Sequence, residues 1–210
     1  MKYFTLLLYI IPILSFSQDK NKIENFINNF YGDDYYFLEK KPKSLSVDDL
    51  DEGWESILSK GEIGVYRKMF NQQSTSFFNW EKLSLKKAII CENGKPIVSE
   101  KNIPLECIVF ISNTLEEGKK REIINSVGAS HFIIFYDGKN ISDTKKKKEY
   151  YKFLKNFDRN KVFSSLSLSI PVFFSNYSIL KSSSKYNLET CVYKLNQSNW
   201  NKLNCARINY

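Results

Sequence analysis

Hydrophobic and polar positions change rhythm along the chain, and the first eighteen residues stand apart. After Met1-Lys2, Tyr3 to Leu14 is apolar except for Thr5, and Ser15-Phe16-Ser17 leads into Gln18. A positive start, an apolar stretch and a small-x-small ending predict a secretory signal peptide over residues 1–17, cut after Ser17. The stretch is shorter than the roughly 20 residues that span a bilayer, and Asp19-Lys20-Asn21-Lys22 is polar at once. Nothing later is long and apolar enough to re-enter a membrane. The expectation is an exported chain, periplasmic or extracellular, with no transmembrane segment once the leader is gone.

Beyond the leader, Ile23, Phe26, Ile27 and Phe30 fall at helical spacing, which predicts a helix ended by Gly32. Lys40 to Ser46, with Pro42, reads as a loop. Asp48 to Leu58 is a second helix candidate, turning Trp54, Ile57 and Leu58 inward. Gly64–Phe70 and Ser76–Trp80 fit neither period. In the centre, Lys87–Cys91 and Ile97-Val98 flank Asn93-Gly94, a dipeptide that tolerates positive φ and predicts a two-residue hairpin. A strand from Cys107 to Ile111 follows. Thr114 and Glu117 have the spacing of a capping box, opening a helix through Leu115, Ile123, Ile124 and Val127 that stops at Gly128.

His131 to Tyr136 is then a strand closed by Asp137-Gly138, and Asp143 to Phe157 a helix with Tyr150, Leu154 and Phe157 on one stripe beside Phe153. Val162 to Ile208 alternates as four or five strands between Ser- and Asn-rich turns. These elements predict an α+β fold, with N-terminal and central helices packed on a mainly antiparallel β-sheet and a strand-rich C-terminal third. Residues 18–210 are read as a single domain without internal repeats.

Four cysteines, Cys91, Cys107, Cys191 and Cys205, remain after the leader. An even number in an oxidising compartment favours disulfides. If Gln197-Ser198-Asn199 is a three-residue loop, facing residues have numbers summing to 396, so Cys191 faces Cys205 and Tyr193 faces Leu203. Cys91 and Cys107 flank the Asn-Gly turn and form the second expected pair. Spacing of the Cys-x-x-Cys kind, which a redox centre would need, is absent.

Charge sharpens the picture. The chain carries 31 Lys and Arg against 23 Asp and Glu, a net +8 that becomes +7 without Lys2. Residues 18–80 hold 8 basic and 11 acidic side chains, a net −3, whereas residues 81–210 hold 22 and 12, a net +10. A basic surface attracts polyanions. For an exported chain the expected partners are an envelope protein, an acidic polysaccharide or an anionic glycolipid, not nucleic acid. The strongest charge run is Lys145, Lys146, Lys147 and Lys148, enlarged by Lys152 and Lys155, a candidate anion-binding surface on the predicted helix.

The C-terminal third resembles the end of a loose group of exported proteins of Bacteroidetes-like bacteria. The shared pattern is Ser169-Ile170-Pro171-Val172-Phe173, Tyr177-Ser178-Ile179-Leu180, Cys191, Tyr193-Lys194 and Trp200-Asn201-Lys202-Leu203. It covers about 40 residues. The resemblance implies export and carries no activity, because the group has none assigned. The Gly-rich turn that often surrounds the cysteines in the group is missing from this chain.

Candidate chemistry is sparse. A single histidine, His131, excludes a multi-His metal centre, and its place at the mouth of an apolar strand suits a structural edge residue. Asp33-Asp34, inside Tyr31-Gly32-Asp33-Asp34-Tyr35-Tyr36, is the most suggestive acidic and aromatic cluster, and also an ordinary helix-ending turn. Asp48, Asp49, Asp51 and Glu52 suit a helix start, without the spacing of a calcium loop. Neither a glycine-rich phosphate loop nor zinc-finger spacing occurs, so no cofactor is expected. The leading expectation is a non-enzymatic exported binding module, braced by disulfides. The alternatives are a carboxylate-dependent hydrolase of an envelope or extracellular polysaccharide and a basic binder of anionic glycolipid.

Overall fold

The computed structural model describes residues 20–44, 52–72, 78–128 and 130–209. The expected leader over residues 1–17 and the acidic run Asp48, Asp49 and Asp51 lie outside them. In chain order the elements are α1 (residues 20–31), β1 (Tyr36–Glu39), α2 (Lys60–Gln72), β2 (Ala88–Glu92), β3 (Lys95–Pro96), β4 (Ile108–Ser112), α3 (Glu117–Ser126), β5 (Phe132–Tyr136), α4 (Asp143–Asn156), β6 (Ser167–Leu168), β7 (Val172–Phe174), β8 (Tyr177–Ser183), β9 (Asn187–Asn196) and β10 (Asn199–Asn209). The fold is α+β with antiparallel-rich sheets and a strand-rich C-terminal region, as the sequence predicts. Within the span read as one domain, the chain builds two compact units. A terminal unit takes residues up to Gly32, Lys41–Lys86 and the segment from Ser167 onward, and a central unit takes Asp33–Lys40 and Lys87–Leu166.

The terminal unit is an antiparallel sheet in the order β10-β9-β8-β6, with β7 also paired to β8. Alternation sorts its side chains onto two faces. On one face Phe173, Tyr193 and Trp200 meet Phe26 of α1 edge-on, at ring separations of 5.5, 5.1 and 5.2 Å. On the other, Val172, Phe174, Ile179 and Val192 pack with Trp54, Leu58 and Tyr66. Helix α1 thus ends on schedule at Gly32, where an added Cβ would lie 2.1 Å from the Asn28 carbonyl oxygen. Glu52–Ser56, from the second helix candidate, forms a 3₁₀ turn that buries Trp54. Gly64–Phe70, ambiguous in sequence, falls inside α2.

The hairpin β9–β10 reaches the expected cysteine register by an unexpected route. Its turn has two residues, Gln197-Ser198, with Asn196 opposite Asn199 and Gln197 at φ 56°. Numbers on facing residues therefore sum to 395 near the turn, and Tyr193 faces Lys202 instead of Leu203. A bulge between Lys202 and Asn204 then inserts one residue and restores the sum of 396, placing Cys205 opposite Cys191. Leu203, the extra residue, is left 44% exposed.

The central unit combines a three-stranded sheet, β1-β2-β3, with a two-stranded parallel pair, β4-β5. The Asn93-Gly94 turn forms as expected, both residues having positive φ, but the second strand of the hairpin is Lys95–Pro96 and not Ile97-Val98. Glu39 of β1 fastens this turn, its carboxylate accepting from the amides of Asn93 and Gly94 at 3.0 and 2.6 Å. After β3 ends at Pro96, Asn102 continues the pairing. Its side-chain amide donates to the carbonyls of Ile90 and Ile97 at 2.9 and 2.6 Å and accepts the Ile90 N–H.

Strands β4 and β5 are joined through α3, so they run parallel, with Ile108 paired to Phe132. The expected capping box does not form. The Thr114 hydroxyl pairs with Ser112 Oγ at 2.8 Å, and α3 starts at Glu117 after Glu116, without a side-chain cap. Ser112 Oγ in turn donates to the Gly138 carbonyl, which uses these hydroxyls to close the β4 and β5 ends. Tyr35, Phe37, Ile89, Cys91, Ile103, Cys107, Ile108, Phe132 and Tyr150 make a continuous core.

Candidate functional site

The six lysines singled out in sequence lie on α4, which begins where Ser142 Oγ accepts the Lys145 N–H. At about 100° per residue, Tyr150, Phe153 and Phe157 fall on one side, and the structure packs that side into the central core. Phe153 and Phe157 lie 5.3 and 5.6 Å from the Phe132 ring, and the Tyr150 hydroxyl donates to the Ile103 carbonyl at 2.6 Å. Burial pushes the Tyr150 hydroxyl up to about 12 from an ordinary 10.0. Anchored this way, α4 has one fixed outward side.

That side is basic. Lys148, Lys152 and Lys155, at i, i+4 and i+7, point away from the buried stripe and are exposed. Seven residues of helix space the first and last by about 10 Å. Tyr151, beside them, is 50% exposed, and its hydroxyl reaches Glu100 Oε2 at 3.5 Å. Lys152 has only a loose neighbour, Glu149, at 3.9 Å. The helix therefore divides the predicted lysine run. Lys145 turns back to donate to the Asp137 carbonyl at 2.6 Å, and Lys146 pairs with Asp143 at 3.3 Å. Lys147 is exposed but sits off the ridge. Exposed Arg159 and Lys161 follow the helix end.

Among the described residues, the candidates Asp33, Asp34 and His131 do not assemble into a catalytic centre. Asp34 and His131 come together, with Asp34 Oδ1 3.7 Å from His131 Nδ1 and Tyr35 edge-on to the imidazole at 5.4 Å. Asp34 Oδ1 also accepts the Tyr35 N–H at 2.7 Å, which makes it a turn-forming carboxylate. It is 64% exposed, whereas the acid of a glycosidase pair needs burial to keep its proton. Asp33 is exposed beside it.

No protein-family model matches this chain, and neither a curated protein nor a solved structure matches it.

Cys191 and Cys205 are bridged across β9 and β10, with Cα atoms 4.1 Å apart. Glu189, on the same strand as Cys191, pairs with Arg207 and lies 3.7 Å from Lys202. With both thiols bonded to each other, these cysteines offer no thiolate to a metal.

The second expected bridge is overturned. Cys91 and Cys107 are free and buried. The strand after Cys107 pairs with β5 and not with the Asn-Gly hairpin, so Cys91 enters the core from β2 and Cys107 from the 3₁₀ turn Leu105–Cys107 that precedes β4. Each thiol has its own acceptor, Ile89 O for Cys91 at 3.5 Å and Pro104 O for Cys107 at 3.0 Å. Burial pushes both up to about 12 from an ordinary 9.0. Because the folded state holds these protons more tightly than the unfolded chain, they add stability below about pH 9, lost as pH rises toward 12. Native protein at neutral pH should resist thiol alkylation at both positions, and denatured protein should take up two labels. Rapid native labelling of either cysteine would contradict the buried placement.

Proposed function

We propose that this chain is an exported, disulfide-braced binding module that holds an anionic ligand along the outward ridge of α4. One observation carries the reading: Lys148, Lys152 and Lys155 share the side of the helix opposite its core-packed stripe, and among the described residues the one acidic side chain paired with any of them is Glu149, 3.9 Å from Lys152. The leader pattern and the Cys191–Cys205 bridge support export, since bridges of this kind persist in oxidising compartments. Cys91 and Cys107 survive there as thiols because burial keeps them from oxidants.

Basic side chains held on a rigid helix attract anions without losing much freedom on binding, so affinity should be electrostatic and salt-sensitive. The test uses inorganic polyphosphate as the probe. Lys148→Gln, Lys152→Gln and Lys155→Gln together keep helix propensity and remove the charge. The triple variant should keep the far-ultraviolet spectrum of the native protein while the log–log dependence of affinity on salt flattens by up to about three, one per lost contact. Unchanged affinity and salt dependence in the folded triple variant would overturn the reading.

A further inference from the structure

Resting on that reading, we infer that the anionic ligand is a lipid surface, and that α4 lies along the headgroup plane with Tyr151 at its interface. Shape separates a plane from a flexible polymer. A linear polyanion is held best where cations line both walls of a groove, but Lys148, Lys152 and Lys155 follow the outermost line of a helix whose opposite side is buried. Such a line is convex and touches a flat array of headgroups along its length, about 10 Å between the end lysines.

The aromatic residue beside the line points the same way. Tyr151 keeps half its surface in water although Tyr150, next to it, is only 5% exposed. A ring with an apolar body and a polar tip is favoured at the boundary between headgroups and acyl chains. Lysine stems add to this, since they cover apolar surface while their heads stay at the phosphates. The buried stripe of α4 is committed to the core through Phe132, Phe153 and Phe157, so the helix docks on the surface and does not insert. No helix among the described residues is long and apolar enough to cross a membrane.

Sedimentation with vesicles of equal parts phosphatidylcholine and phosphatidylglycerol, against phosphatidylcholine alone and against soluble polyphosphate, tests the inference. Each basic side chain near an anionic bilayer is worth about a fivefold gain in partitioning, so the triple glutamine variant should lose about a hundredfold on the anionic vesicles. Tyr151→Ser, at an exposed position, should weaken vesicle binding and leave polyphosphate binding as it was. Binding to polyphosphate without binding to anionic vesicles would overturn the lipid assignment while the ridge stands as an anion site. Equal losses of both on Tyr151→Ser would also overturn it, and binding to neither probe would overturn the ridge itself.

Discussion

Phe132→Ala should lower the stability of the central unit by about 3–5 kcal/mol, the range for emptying a buried aromatic position. Phe132 is where the elements of that unit converge. Its ring lies 6.0 Å from Phe37 of β1, 5.3 and 5.6 Å from Phe153 and Phe157 at the end of α4, and 5.7 Å from Phe163. Alanine leaves a void between a strand, a helix and a loop, and these cannot all collapse into it while Ile108 holds the register of β5. Phe135, on the same strand, provides the control. It is 48% exposed, so Phe135→Ala should change stability by no more than about 0.5 kcal/mol. Urea unfolding of the two variants separates them, and similar midpoints for both would mean that the core lies elsewhere.

Loss of the Cys191–Cys205 bridge is the second large effect. The bridged residues are 14 apart, and closing a loop of that size removes about 3 kcal/mol of unfolded-state freedom. A Cys191→Ala and Cys205→Ala double variant should therefore be less stable by about that amount, and the native protein should lose a similar amount when treated with a dithiol. The effect should reside in the terminal unit, whose sheet contains both strands. A double variant as stable as the native protein would show that β9 and β10 are held by pairing alone. Arg207 and Lys202 on Glu189 are surface pairs, each worth at most about 1 kcal/mol, and do not replace the bridge.

What could be read from the chain follows from how local each signal is. The α4 stripe, the Asn93-Gly94 hairpin, the strand from Phe132 and the end of α1 at Gly32 all rest on residues a few positions apart, and all stand in the fold. The cysteine pair in the last hairpin emerged because a shorter turn and a bulge at Leu203 shift the register in opposite directions. The turn leaves no sequence mark, since Gln197 and Ser198 lack the Asn-Gly signature, and the bulge leaves only the odd spacing of Trp200 and Leu203, which breaks the two-residue alternation. At Cys91 and Cys107 nearness in the chain misleads, because the strand after Cys107 does not pair with the hairpin that precedes it. A strand, a helix and a second strand from Cys107 to Tyr136 are the pattern of a parallel unit, and that signal predicts the β4–β5 pairing in place of one with the Asn-Gly hairpin.

The candidate ridge was legible only in part. Four consecutive lysines cannot share a helix face, and sequence alone does not say which of them fold back. Asp137 and Asp143 claim Lys145 and Lys146, while the depth of Tyr150 and Phe153 turns Lys148, Lys152 and Lys155 outward. Tyr151 carries no signal of its own in the sequence, because it lies off the apolar stripe that buries Tyr150. The proximity of Asp34 and His131, nearly a hundred residues apart in the chain, is a product of tertiary packing that neither local pattern encodes.

Amide chemical-shift mapping during titration with short polyphosphate tests the central claim most directly. The account predicts salt-sensitive shifts concentrated from Lys148 to Lys155, with little change along β9 and β10 despite Lys202 and Arg207. Shifts centred on that hairpin, or none on α4 at saturating probe, would contradict it.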